Sequence, residues 1–391
     1  MKVDDITATI ERALQSAGLN TATPLVEGIH RHIRNALASA GLTHAGAAHA
    51  AGDVIDVEAR ERPDSPEADD ALREPDTAAD SAADSGPDAP GSFTWHVHNG
   101  RAGSRRFKTY VPAACRGRSV PLIVMLHGCR QHAEDFATGT RMNRLADSHG
   151  FIVAYPEQPA RANGSSCWNW FEPRDQRRDG GEPELIAGIV RQIVAQQCLA
   201  QGQVDTRRVF VAGLSAGAAM ALILGHTHPE TFAGIGVHSG LPYAVAHDVG
   251  SAFAAMSSGS ARGSVPRTAA RPAQSAPARS VPTIVFHGKR DHTVNVSNAE
   301  VIVAEALQGY EARHGAPLRA SLPKRGTAGG REFSRTVYID ASVAGDGQVM
   351  LEDWRIDGLG HAWSGGSADG SFADSQGPDA SAAMVEFFLR R

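Results

Sequence analysis

The chain has little that would assign it to a specialised class. Its four cysteines, at 115, 129, 167 and 198, are too sparse for a disulfide-dense scaffold, and none has metal-finger spacing. No apolar run reaches membrane-spanning length, so no membrane span is expected. The opening residues, Met1-Lys2-Val3-Asp4-Asp5-Ile6, carry acids early and no apolar core before a small-residue cleavage site. They do not read as a secretory signal, and a cytoplasmic location is expected. A net charge of −5 gives no reason to expect nucleic acid or a membrane surface as a partner. No internal repeat is present.

What is there divides into three parts. In residues 1–42, Ile6, Ile10 and Leu14 recur at helical spacing, as do Leu25, Ile29, Ile33 and Leu37. A helical pair over 3–18 and 23–41 is expected, broken around Gly18-Leu19-Asn20. Residues 43–92 are rich in Ala, Asp, Glu, Pro and Ser, and 43–91 hold no aromatic residue. Such a stretch buries too little apolar surface to offset its ordering entropy, and a disordered linker is expected. Residues 93–391 alternate short apolar runs with helical periods, interrupted by a low-complexity insertion at about 256–280. The alternation predicts an α/β domain: a mostly parallel sheet with helices on both faces. Expected strands include 93–98 with 105–112 as an edge pair, 121–126, 151–155, 209–213, 232–237, 283–286, 335–341 and 349–356. Expected helices cover 134–148, 183–199, 216–227, 296–314 and 378–390.

The chemistry centres on Val209-Phe210-Val211-Ala212-Gly213-Leu214-Ser215-Ala216-Gly217. An apolar strand ends in Gly-x-Ser-x-Gly and passes into a small-residue helix. This context lifts a serine hydroxyl out of the sheet at a sharp turn and aims a helix N-terminus at a developing oxyanion. Ser215 is the candidate nucleophile. A base and an orienting acid are then needed, acid before histidine in this chain order. The acid candidate is Asp291, just past the 283–286 strand in His287-Gly288-Lys289-Arg290-Asp291, with Asp353 and Asp357 as rivals. The base candidate is His361, between glycine pairs in Gly358-Leu359-Gly360-His361-Ala362-Trp363-Ser364-Gly365-Gly366. The amides of Ala216 and of Cys129, in the loop after the 121–126 strand, are the candidate oxyanion hole. His96 with His98, and His226 with His228, are read as a strand face and a helix end. No metal or other cofactor is expected.

Five ordered motifs carry a resemblance: His127-Gly128-Cys129-x-Gln131, Cys167-Trp168-Asn169-Trp170-Phe171, Gly213-Leu214-Ser215-Ala216-Gly217, Ser239-Gly240-Leu241-Pro242-Tyr243 and Gly360-His361-Ala362-Trp363-Ser364-Gly365-Gly366. Over about 93–391 the chain resembles the catalytic domain of the polyhydroxybutyrate depolymerase family, in the esterase group that includes feruloyl and acetyl-xylan esterases. The resemblance implies an α/β-hydrolase fold, serine catalysis without metal, and hydrolysis of short-chain 3-hydroxyalkanoate polyesters or oligomers. A feruloyl or acetyl-carbohydrate esterase is the alternative, and a granule-associated binding protein with a vestigial hydrolase domain is the reading from another class. The chain has no recognised export signal and no polymer-binding domain after its last helix, so an intracellular enzyme acting on storage granules or soluble oligomers is expected. Residues 1–42 are then a docking element for a granule surface or for self-association, set against a self-contained hairpin. Trp168, Trp170, Tyr243 and Trp363 are candidate substrate contacts, with loop packing as the other reading of Trp168 and Trp170. Cys129 and Cys167 lie in loops expected to flank the site, as a disulfide or as two free thiols.

Overall fold

The computed structural model describes residues 91–200, 203–258, 279–343 and 347–391. The expected helical pair, all but the end of the linker, and most of the 256–280 insertion lie outside them. The strands are β1 (Ser92–Gly100), β2 (Gly103–Val111), β3 (Ser119–Leu126), β4 (Ile152–Pro156), β5 (Gln203–Leu214), β6 (Gly234–His238), β7 (Thr283–Gly288), β8 (Arg319–Ala320), β9 (Lys324–Ala328), β10 (Arg331–Asp340), β11 (Gln348–Ile356), β12 (Trp363–Ser364) and β13 (Ala373–Asp374). The helices are α1 (Ala133–Thr140), α2 (Met142–His149), α3 (Gly181–Ala200), α4 (Ala216–Thr227), α5 (Val249–Ser258), α6 (Ser297–His314) and α7 (Ala380–Leu389).

One sheet runs β1-β2-β4-β3-β5-β6-β7-β11-β10-β8, with β9 also paired to β10. Its centre, from β4 through β3, β5, β6 and β7 to β11, is parallel. The flanks are antiparallel. Of the expected edge pair only β1 is an edge, because β2 also pairs with β4.

The central strands are apolar on both faces because helices cover both. Leu122, Val124, Leu126, Val209 and Val211 join one core, with α3, α4, α5 and α6. Ile123, Met125, Phe210 and Ala212 point the other way, into a core with α1, α2 and α7. The period of two along β3 and β5 thus divides the side chains between the layers. Each fully buried Val, Leu, Ile or Phe contributes roughly 1.5–3 kcal/mol relative to exposure.

Two helices replace the single one expected over 134–148. Arg141 adopts φ 54° between α1 and α2, and its guanidinium donates to the Gly365 carbonyl at 2.8 Å and to that of Gly366. The break therefore ties this helical layer to the loop after His361. α7 begins two residues later than expected, where the Asp379 carboxylate caps it by accepting the Ala382 amide at 2.9 Å. The sheet order reverses at β3, with β4 on one side and β5 on the other. The loops at the carboxyl ends there are where open α/β sheets bind ligands.

Candidate active site

β5 delivers Ser215, which is 8% exposed and held at φ 57°, ψ −118°. A positive φ is costly for a residue with a Cβ and persists only where the surroundings impose it. Its amide donates to the His238 carbonyl at 2.9 Å, and α4 starts at the next residue. Both motif glycines are required by close approach. A Cβ on Gly217 would lie 2.1 Å from the Leu126 carbonyl oxygen, and one on Gly213 would lie 2.4 Å from the Gly217 backbone.

Asp291 follows β7 and is buried. Its Oδ1 accepts the amides of Thr293 and Val294 at 2.9 and 2.8 Å. Its Oδ2 accepts Nδ1–H of His361 at 2.7 Å. Burial alone would raise this carboxyl, but hydrogen bonds from His287 and His361 outweigh it and hold Asp291 well below the usual carboxylate range. Because Nδ1 of His361 donates to a carboxylate, the tautomer leaves Nε2 as the basic atom. The rivals are engaged elsewhere: Asp353 pairs with Arg355 at 2.8 Å, and Asp357 with Lys289 at 2.7 Å.

The loop after β3 is fixed from several sides. The Gly128 amide donates to Gln131 Oε1 at 2.9 Å, and Gln131 Nε2 donates to the Ser371 carbonyl at 2.9 Å. Burial lowers the His127 imidazole to about 4. As a neutral ring it accepts the Gln158 amide on Nε2 at 3.0 Å and donates from Nδ1 to the Gly128 carbonyl at 2.8 Å. Cys129 is disulfide-bonded to Cys167, with 4.2 Å between their Cα atoms. Beside that bridge the Arg130 amide donates to the Ser165 carbonyl at 2.8 Å. The second loop is anchored in turn by the buried Glu182 carboxylate of α3, which accepts the Asn169 amide and side chain, each at 2.7 Å, and the Gln158 side chain. Burial and nearby Asp175 raise the Glu182 carboxyl to about 7.

The four aromatic candidates are not brought together as a substrate-lining set. Trp168 is fully buried, its indole N–H donating to the His127 carbonyl at 3.1 Å. Trp363 is buried between Phe136 and His238 and donates to Ser381 Oγ at 3.0 Å. Trp170 is buried against Phe171. Tyr243 lies tilted against His226, donates to the Gln176 carbonyl at 3.0 Å, and lines a cavity of about 450 Å³. That cavity also takes in Ile235 and Thr283, at the amino ends of β6 and β7, away from Ser215. The burial of Trp168 and Trp170 fits their reading as loop packing.

Several residues of the site escaped the sequence reading. Gln131 carries no local signal for its role, which is to hold the Gly128 amide and the Ser371 carbonyl. His238 ends β6 outside the five motifs; burial and its neighbours His287 and His361 push it down to about 3. It accepts the Ser364 amide on Nε2 at 3.0 Å, linking the nucleophile turn to the His361 loop. Among the described residues no group of three or more His, Cys, Asp or Glu side chains is arranged to hold a metal, and no helix is long and apolar enough to cross a membrane.

An elbow serine after a central parallel strand, with an acid and a histidine on later strand ends, defines the class as an α/β-hydrolase. The solved acetyl xylan esterase from Aspergillus awamori shares this fold: TM-score 0.53, 20% identity, covering 76% of this chain and all of that one. The chain belongs to the family described as Esterase PHB depolymerase, whose profile matches residues 106–321. Poly(3-hydroxyalkanoate) depolymerase C of Paucimonas lemoignei is 34% identical over 267 residues, covering 66% of this chain and 58% of that protein. Feruloyl esterase B of Neurospora crassa is 35% identical over 139 residues, covering 36% of this chain and 45% of its own length. The chain thus spans little more than half of the first of these relatives and less than half of the second.

Proposed function

We propose that the protein is a serine ester hydrolase acting on short-chain poly(3-hydroxyalkanoate), polyhydroxybutyrate or its oligomers, through an acyl-enzyme. The observation that carries this reading is the 2.7 Å bond between His361 and the buried Asp291 carboxylate, on the same end of the sheet as the strained Ser215 turn. Family membership supports the ester as the bond cleaved. Nε2 of His361 takes the Ser215 proton as Oγ attacks the carbonyl carbon. Asp291 holds the ring in that tautomer and stabilises the imidazolium. The amide of Ala216, first in α4, has no intrahelical acceptor. Cys129 lies between Gly128 and Arg130, whose amides go to Gln131 and Ser165. These two N–H groups receive the oxyanion. His361 then protonates the leaving alcohol, and water, activated by the same ring, cleaves the acyl-enzyme.

A feruloyl or acetyl-carbohydrate esterase is the second reading, favoured by the similarity to feruloyl esterase B. We further propose that residues 1–42 dock the enzyme to a granule surface or to another copy of itself. The Cys129–Cys167 bridge weighs against an intracellular location, since such bonds persist in oxidising compartments. The test is covalent labelling of the full chain with an organophosphate, followed by peptide mass mapping. Stoichiometric modification of Ser215 with loss of ester hydrolysis is expected. Activity that survives complete labelling would sink the serine mechanism.

A further inference from the structure

Asp291 has two histidine neighbours, and the mechanism uses only one. His287 is the penultimate residue of β7 and is fully buried. Its Nε2 lies 2.9 Å from the Val294 carbonyl oxygen and 3.4 Å from Asp291 Oδ2. A carbonyl only accepts, so Nε2 carries the proton and donates it to Val294, with Asp291 Oδ2 close beside the same N–H. Nδ1 is then a bare acceptor, buried without a hydrogen-bond partner among the described residues. A side chain needed only to fill this interior position would be apolar and leave nothing unsatisfied. The retained feature is the Nε2–H, and it faces the carboxylate oxygen that receives His361.

Resting on the triad reading above, we infer that His287 is a positioning residue for Asp291: it pins Oδ2 toward His361 and withdraws part of its negative charge. With that N–H in place, less of the Oδ2 charge is left to stabilise the imidazolium that forms on His361 during the reaction. Other ionisable groups surround the pair. His238 on β6 interacts with His287, His361 and Asp291. On β11, Asp353 and Arg355 form an ion pair, with Asp353 near His287 and near Glu300 of α6. These groups remain when only position 287 is changed.

The test compares His287→Gln, which keeps an N–H at comparable reach, with His287→Asn, whose shorter amide cannot reach, and His287→Met, which has none. Hydrolysis of 3-hydroxybutyrate trimer by the full chain is measured against pH. Rates are normalised to organophosphate-titrated sites, so a misfolded fraction does not count. His287→Gln is expected to follow the wild-type profile. In the other two the acid limb of kcat/KM moves up by roughly half a pH unit or more. That shift gives about a threefold loss on the acid side, with KM unchanged. Asn and Met profiles that superimpose on wild type per titrated site would overturn the inference and leave His287 a packing residue. A Gln variant shifted as far as Met would also overturn it. Wild-type protein that fails to hydrolyse the ester, or that keeps its activity as Ser215→Ala, would instead sink the functional reading beneath it.

Discussion

Asp291 and Glu182 are both buried carboxyls, yet their surroundings push them in opposite directions. Asp291 is desolvated but receives imidazole and amide donors, and is held low. Its contribution to stability is present above the usual carboxylate range and is lost as pH falls. Glu182 is desolvated beside Asp175, and its donors only partly compensate, leaving it at about 7. Its folded value lies above its unfolded one, so its contribution is complete at acid pH and is lost as pH rises through about 7. Between pH 5 and 8, wild type should lose about 2.5 kcal/mol of stability relative to Glu182→Gln. Denaturant melts at both pH values check this, and parallel curves for the two proteins would contradict it. At the same scale, Ser215→Ala, His361→Ala and Asp291→Asn should each lower kcat by roughly a thousandfold or more. A double variant should fall little below the worst single one, because the three act as a unit. Unchanged hydrolysis in Asp291→Asn would move the acid role elsewhere.

At the scale of elements, the loop after β3 and the loop carrying Trp168 act as one piece, joined by the Cys129–Cys167 bridge. The cysteines are 38 residues apart, and closing that loop contributes about 4 kcal/mol in the chain-entropy picture. Reduction should therefore lower the melting temperature and slow turnover by displacing the Cys129 amide. Thiols counted in denatured protein should be two fewer before reduction than after; equal counts would remove the bridge from the account. The central strands and most helices were legible because burial on both faces leaves long apolar runs, as in Leu122–Leu126 and Val209–Ala212. The turn at Ser215 was legible because close backbone approach demands glycine at 213 and 217. The break at Arg141 was not, since its positive φ falls on a residue type that carries no turn signal. α5 was missed beside the low-complexity stretch. Nor did the sequence reveal which indoles face inward: Trp168 and Trp363 are buried with their N–H groups paired, a matter of contacts over long separations. The bonds from Gln131 to Ser371 and from His238 to Ser364 span 240 and 126 residues and have no local pattern.

For the whole molecule, the described residues hold both cores and all proposed catalytic groups. Residues 1–42 are proposed to dock the enzyme to granules or to another copy. Deleting them should leave hydrolysis of soluble trimer within about twofold, and reduce co-sedimentation with native granules or change the mass measured by light scattering. If attachment and mass both survived the deletion, the docking idea would fail. If soluble activity collapsed, the segment would belong with the catalytic unit. The central claim, a serine esterase for short-chain hydroxyalkanoates, is tested most directly by measuring kcat/KM of the full chain on 3-hydroxybutyrate trimer, methyl ferulate and acetylated xylan. The account predicts that the trimer is preferred by about tenfold or more, and that Ser215→Ala abolishes turnover on every substrate. A preference for methyl ferulate or acetylated xylan, or turnover that persists in Ser215→Ala, would contradict it.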